Sequence, residues 1–560
     1  MPKMNKARIL SAVFFMLALA SMGAPADETQ ADKTQADKTK DITELHATIV
    51  NLVDELVNQG VLTRAQADAM IRKAQADAAK VVSEPAAEPA ADEKQPGVVR
   101  VPYVPEIVKQ ELREQVRNEL RKEVVQDVAL QAEREHWIFP GLIPEWTQRI
   151  KWEGDLRLRW EKIGYAGSNA PYTYQNFQKI NDKRGFSNPA QEEDYLNATV
   201  DRSRLRTRLR LGMTADLSAG VSAGLRIATG NLADPVSTNQ TMGNSNRPYQ
   251  LILDRVFLQY ESPASSVNLW GGRMPNPWFS TDLVWDPDVN FDGVAGKFYP
   301  LMRGKGYTRA FNPYITLGAF PIQEIERSTQ DKWLYATQMG FDMAFQSDSR
   351  LRFAIAYYDY RNITGQLNPT VNSRTLDYTA PQFLQKGNTM FQINNDTDPN
   401  ARLYGLAADY KELNATFSYD LATFSPTHVV VTGDYVKNIG YDVQEVLQRT
   451  GGNVSGPANR LDPHTKGYQL KLTLGRPDTK RAGNWQTFLA FKHLERDAVL
   501  DAFTDSDFHL GGTDAEGWIL GGNYALRDNV SLGLRYITAD AIDGPPLGID
   551  VLQLDLNAKF

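Results

Sequence analysis

The stretch DRSRLRTRLRLGMTADL, residues 201–217, decides the fold. Arg202, Arg204, Arg206, Arg208 and Arg210 share one parity; Leu205, Thr207, Leu209, Leu211 and Met213 share the other. Strict alternation over this length marks a β-strand with two unlike faces. Five arginines do not fit a dry core, and on a lipid face each costs about 2–4 kcal/mol near mid-membrane. They must face water, while the leucines opposite face a second sheet or lipid.

The rest of the chain repeats the division. Ile150, Trp152, Leu156, Leu158 and Trp160 oppose Lys151, Glu153, Asp155, Arg157 and Arg159. Tyr468, Leu470, Leu472 and Leu474 oppose Gln469, Lys471 and Thr473, and VLQLDLNAKF at 551–560 alternates in the same way. Trp and Tyr recur near the ends of the apolar rows, where a membrane interface places them. Segments of about 10–13 residues cross a bilayer at a tilt. Short connections (216–220, 346–349, 527–529) alternate with long polar ones (164–199, 363–402, 438–464). The reading is an all-β transmembrane barrel of about 16 antiparallel strands. They fall near 148–162, 201–217, 219–230, 250–262, 265–274, 292–300, 311–322, 332–347, 349–362, 403–421, 426–437, 465–475, 485–496, 515–526, 529–540 and 548–560.

Composition agrees. The chain has 560 residues, no cysteine, 23 Tyr, 10 Trp and a formal net charge of −7. The acidic balance argues against a nucleic-acid partner, and the missing cysteines exclude disulfides, thiolate metal sites and a lipidated Cys. Lys3, Lys6 and Arg8, then the apolar Ile9–Ala20 and the small residues Ala24-Pro25-Ala26, read as a signal peptide over 1–26. Residues 27–82 read as a low-complexity segment (TQADKTQADKT) and a helical hairpin, 83–103 as a Pro/Ala linker, and 104–136 as a helical stalk. The stalk's apolar positions fall every four residues from Val108 to Val128, a stripe that winds right-handedly, unlike a heptad seam. It reads either as a multi-chain, coiled-coil periplasmic α-helical extension or as a solvated helix held by Glu/Lys/Arg pairs. The barrel occupies 147–560.

The candidate site follows from the lumen. Lys151, Glu153, Asp155, Arg157, Arg159 and the arginine row Arg202–Arg210 are expected to line a pore. The segment Met274 to Asp292 is expected to fold inward as a constriction loop carrying Asp282, Asp286, Asp288 and Asp292 opposite the arginines. The other reading of the row is that Glu153, Asp155 and Glu161 neutralise it locally. Asp288, Asn290 and Asp292, followed by Gly293, have the first spacings of a calcium loop; position 12 is Tyr299, where a glutamate is needed, so an acidic turn is the alternative. The six histidines (His46, His136, His428, His464, His493, His509) show no paired metal spacing, and no cofactor is implied. His464 and His509 fall in long loops, which leaves an outer-membrane hydrolase as a minor reading. An envelope-tethering protein, its N-terminal helices on peptidoglycan, is the structural alternative to a channel.

EWTQRIKWEGDLRLRWE, RLRTRLRLG, GGRMPNPWFSTDLVWDPDVNFDGVA and SDFHLGGTDAEGWILGGNYAL resemble the bacterial "Putative porin" family over about residues 104–560. The resemblance implies a Gram-negative outer-membrane barrel behind a periplasmic helical extension, surrounded by lipid and lipopolysaccharide. It also implies passive diffusion of small hydrophilic solutes and a homotrimer. A terminal Phe560 resembles the signal read by the outer-membrane assembly machinery; Ala558 departs from it, since an aromatic is often found there.

Overall fold

The computed structural model describes residues 149–187, 192–302, 310–345 and 348–560. The expected signal peptide, hairpin, linker and stalk lie outside them.

Sixteen strands form the wall: β1 (Ile150–Tyr165), β2 (Arg202–Ser218), β3 (Val221–Thr229), β4 (Leu251–Glu261), β5 (Val267–Pro275), β6 (Asn290–Phe298), β7 (Phe311–Gln323), β8 (Lys332–Ala344), β9 (Arg350–Arg361), β10 (Lys411–Leu421), β11 (His428–Asn438), β12 (Lys466–Gly475), β13 (Trp485–Leu494), β14 (Ala515–Arg527), β15 (Val530–Ala541) and β16 (Gly548–Lys559). Each pairs antiparallel with its neighbours in sequence, and β1 pairs with both β2 and β16, so the sheet closes on itself. Closure pairs the first strand with the last, as a sheet in hydrocarbon requires.

The outer face carries the apolar parity. Leu205, Leu253, Val294, Leu317, Met339 and Leu470 are each more than half exposed. A row of large exposed aliphatics along every part of a closed sheet has one compatible solvent, which is lipid. Eight connections share one rim: L1 (166–201), L2 (230–250), L3 (276–289), L4 (324–331), L5 (362–410), L6 (439–465), L7 (495–514) and L8 (542–547).

The strand expected at 403–421 begins at Lys411. Tyr404–Leu406 leaves the wall and pairs with Met390–Gln392 inside L5. The apolar run Leu403–Ala408 is buried in the interior; alternation cannot tell burial under a loop from burial in lipid. The 292–322 stretch supplies two antiparallel strands, as expected.

At the seam, Gly154 N–H donates to Phe560 O at 2.8 Å and Phe560 N–H to Gly154 O at 3.0 Å. The Phe560 ring covers Gly154: a Cβ there would fall 2.4 Å from Phe560 Cε2. Gly154→Val is therefore expected to displace the ring and destabilise the closed barrel by about 1–3 kcal/mol. The temperature at which the folded band shifts on an unboiled gel measures this. Gly164→Ala, where a Cβ meets nothing within 4 Å, should leave it unchanged.

Candidate functional site: an arginine wall and an inward loop

L3 lies inside the barrel. Phe279 N–H donates to Gln338 Oε1 (2.9 Å) and Gln338 Nε2 donates back to Phe279 O (2.9 Å), which ties the loop to β8. Thr281 Oγ1 donates to Asp434 of β11 (2.6 Å). Asp282 accepts from Gln469 of β12 (2.8 Å) and lies 3.6 Å from Lys492 of β13. Asp286 accepts from Ser506 N–H of L7 (2.9 Å), and its own N–H donates to Phe503 O (2.8 Å). Asp288 reaches β2, 3.0 Å from Arg210 and 3.7 Å from Arg208, and accepts from Thr238. The loop thus spans the interior from β8–β13 to β2.

Aromatic packing holds it there. Trp278 meets Phe320 and Tyr358 edge-on; Trp285 meets Phe291 at 4.8 Å, Tyr358 at 5.3 Å and Phe503 at 5.6 Å between ring centroids. Leu283, Tyr358, Tyr360 and Tyr410 are fully buried. The interior was expected to be wet throughout. Instead L3, L5 and L7, with residues of L1, L2 and L6, pack an apolar core against β5–β9, β11 and β13, and the arginines concentrate on β1 and β2.

That wall is arginine-rich. β1 and β2 pair so that Arg157 faces Arg208 and Arg159 faces Arg206. Asp155 is shared by Arg208 (2.8 Å) and Arg210 (2.7 Å). Glu161 takes Arg204 at 2.5 Å and Arg206 at 3.9 Å. Arg159, only 4 % exposed, binds Asp507 of L7 (3.0 Å) and Asp555 of β16 (2.7 Å). Asp155 and Glu161 thus neutralise the row locally, and Asp288 from L3 joins them by direct contact rather than across a gap.

Arg157 and Arg206 are the least compensated. Arg157 donates to Asn239, Arg206 to Ser237 at 3.4 Å, and the Nε of each is buried without a partner. Lys151, Glu153 and Arg202 lie exposed towards the strand ends. Residue-by-residue reading of the row did not single out Arg226, bound to buried Asp254, or Arg255, which donates to Asn290 (2.7 Å). Each is a lone Arg facing the interior, and only the register of β3 and β4 reveals them as an extension of the wall.

The four loop aspartates separate. Asp282, Asp286 and Asp288 are on L3, whereas Asp292 sits on β6 beside Arg273 (2.6 Å), half exposed. Burial, with Asp505 and Asp288 nearby, pushes the Asp286 carboxyl well up. Burial also acts on Asp288, but Arg208 and Arg210 outweigh it and hold that carboxyl low. Asp288, Asn290 and Asp292 each turn to a different arginine, so the calcium spacing does not become a ligand cage. Among the described residues no group of acidic or histidine side chains is arranged to hold a metal.

The sequence profile of the family described as "Putative porin" matches residues 46–560. The chain belongs to this family. It is accordingly an outer-membrane β-barrel of the channel class. No curated protein matches it in sequence. Among solved structures it is similar to the outer-membrane channel DcaP of Acinetobacter baumannii (10 % identity over 73 % of this chain and 97 % of that one, TM-score 0.37). It is also similar to OprB of Pseudomonas putida at high pH (11 %, 75 % and 96 %, 0.41) and to Salmonella typhi OmpF in complex with daunomycin (8 %, 73 % and 97 %, 0.36).

L7 carries a built-in pH dependence. His509 is 2 % exposed, its Nε2 2.9 Å from Leu547 O. Burial, aided by Lys386, drops its pKa to about 3, below the unfolded value of about 6.5. A depressed base binds its proton in the unfolded chain first, so its contribution to stability is full above pH 6.5 and lost as pH falls towards 3. The loss approaches about 1.4 kcal/mol per pH unit. Urea unfolding at pH 6.5 and 4.5 should show the wild type losing more stability than His509→Asn, since Asn tolerates the left-handed backbone at this position (φ 53°).

Proposed function

We propose that this protein is a passive diffusion channel for small hydrophilic solutes and ions in the outer membrane of a Gram-negative bacterium, with no catalytic step. The observation that carries this reading is the placement of L3. It hangs between the arginine wall of β1–β4 and the luminal groups of β8–β13, where a short segment sets the bore of a barrel otherwise wide enough for water. Fixed charges along such a bore orient dipolar solutes and bias ion passage.

In this proposal Asp282, Asp286 and Asp288 belong to the constriction, and Asp155, Arg157, Arg159 and Arg204–Arg210 line its basic side. Lys151, Glu153 and Arg202 lie at its mouths. Residues 27–136 are proposed to stand in the periplasm and to support a homotrimer or contact peptidoglycan. Planar-bilayer recording of the full chain in KCl tests the reading. Stepwise currents, with a reversal potential in a salt gradient, are the expected result. Folded, heat-modifiable protein that inserts without conducting would overturn it.

A further inference from the structure

The β6–β7 ladder is short. It ends at Val294 opposite Ala319, although β6 begins at Asn290 and β7 runs to Gln323. Beyond the break β6 pairs only with β5, and β7 only with β8. Residues on both sides of the break line a cavity of about 430 Å³, within the range of about 300–1,000 Å³ usual for small-molecule sites. Trp285, Phe291, Phe320, Phe383 and Phe503 give it aromatic walls. It reaches the surface at Leu232, Gln382 and Asp292, all exposed.

Lys332 also lines this cavity, 3 % exposed. Its Nζ donates to Ala380 O at 2.8 Å and lies 3.4 Å from Thr379 O. Among the described residues no carboxylate forms an ion pair with it. A buried ammonium held by two carbonyls, with no counter-charge among the described residues, is an expensive arrangement. Arg273 stands at the rim, paired with the exposed Asp292. A cavity with aromatic walls and one unpaired cation is complementary to an apolar body bearing one anionic group.

We propose that this cavity is a solute-binding site on the permeation route, selective for small aromatic carboxylates. The ring would stack among the phenylalanines and Trp285, and the carboxylate would accept from Lys332. Such a site would concentrate its solutes above L3 before they pass the constriction. The proposal deepens the channel reading and rests on it only for the direction of travel, since binding is measurable without transport.

The test is calorimetric titration of the purified full-length protein with 3-phenylpropionate, acetate and benzyl alcohol. Phenylpropionate is expected to bind at least about tenfold more tightly than either partial probe, and Lys332→Met to weaken it about tenfold or more. Phe383→Ala, at a loop position outside the barrel wall, should weaken it severalfold even if Lys332→Met fails to assemble. Equal binding of the three probes, or unchanged affinity in the folded variants, would overturn the proposal. Wild-type KCl conductance, recorded alongside, keeps the two readings apart: currents without selective binding remove this site and leave the channel standing.

Discussion

Replacing Arg157 and Arg206 together by glutamate is expected to shift the cation-to-anion permeability ratio towards cations by about tenfold or more. On β1 and β2 these are two buried arginines without a close carboxylate among the described residues: Arg157 meets Asn239, and the nearest acid to Arg206 is Glu161 at 3.9 Å. A unit charge about 7 Å from an ion's path in water is worth about 0.6 kcal/mol, close to a factor of three in local concentration. The double reversal changes four units of charge and acts oppositely on the two ion signs. Screening over a Debye length of about 10 Å at 0.1 M salt trims the effect without removing it. The new acids would lie beside Arg159, Arg204 and Arg208, so the wall accommodates them. Reversal potentials in a KCl gradient check the result, and an unmoved ratio would mean that ions pass elsewhere.

Trp285→Ala should have the largest effect on the bore. Trp285 is 2 % exposed and joins L3 to β6, β9 and L7 through Phe291, Tyr358 and Phe503. Its removal costs about 3–5 kcal/mol of packing, to which the lost edge-on ring pairs contribute about 0.5–1.5 kcal/mol each. The wall itself is held by its ladders and does not depend on this residue. The expected outcome is a folded barrel whose L3 leaves its seat part of the time, recorded as larger and noisier single-channel currents. Thermal stability should fall less than the loop energetics alone would imply, because the loss is local.

Much of the architecture was legible because the lipid face imposes a period of two on every strand, and Arg202–Arg210 against Leu205–Leu211 shows it without ambiguity. The same rule misplaced the start of β10. Leu403–Ala408 is apolar because it is buried inside L5, and hydrophobicity alone does not say which side of the wall a residue is on. The site was less legible. Asp282, Asp286 and Asp288 were recognisable as an acidic segment after β5, but their partners Lys492, Ser506 and Arg210 come from distant strands and loops. Nor could periodicity show that Phe503, Phe383 and Trp285 converge, since loop residues carry no period.

L3 sits between the fifth and sixth strands, yet most of the groups that seat it arrive 59 to 220 residues later: Gln338, Asp434, Gln469, Lys492 and Ser506. A half-built ring therefore offers this segment only the Asp288 contacts to Arg208, Arg210 and Thr238. The aperture would stay wide while the later hairpins are laid down and narrow only after the first and last strands zip together. Leak across the membrane during assembly becomes a clock, with an early broad flux that contracts in step with the final seam.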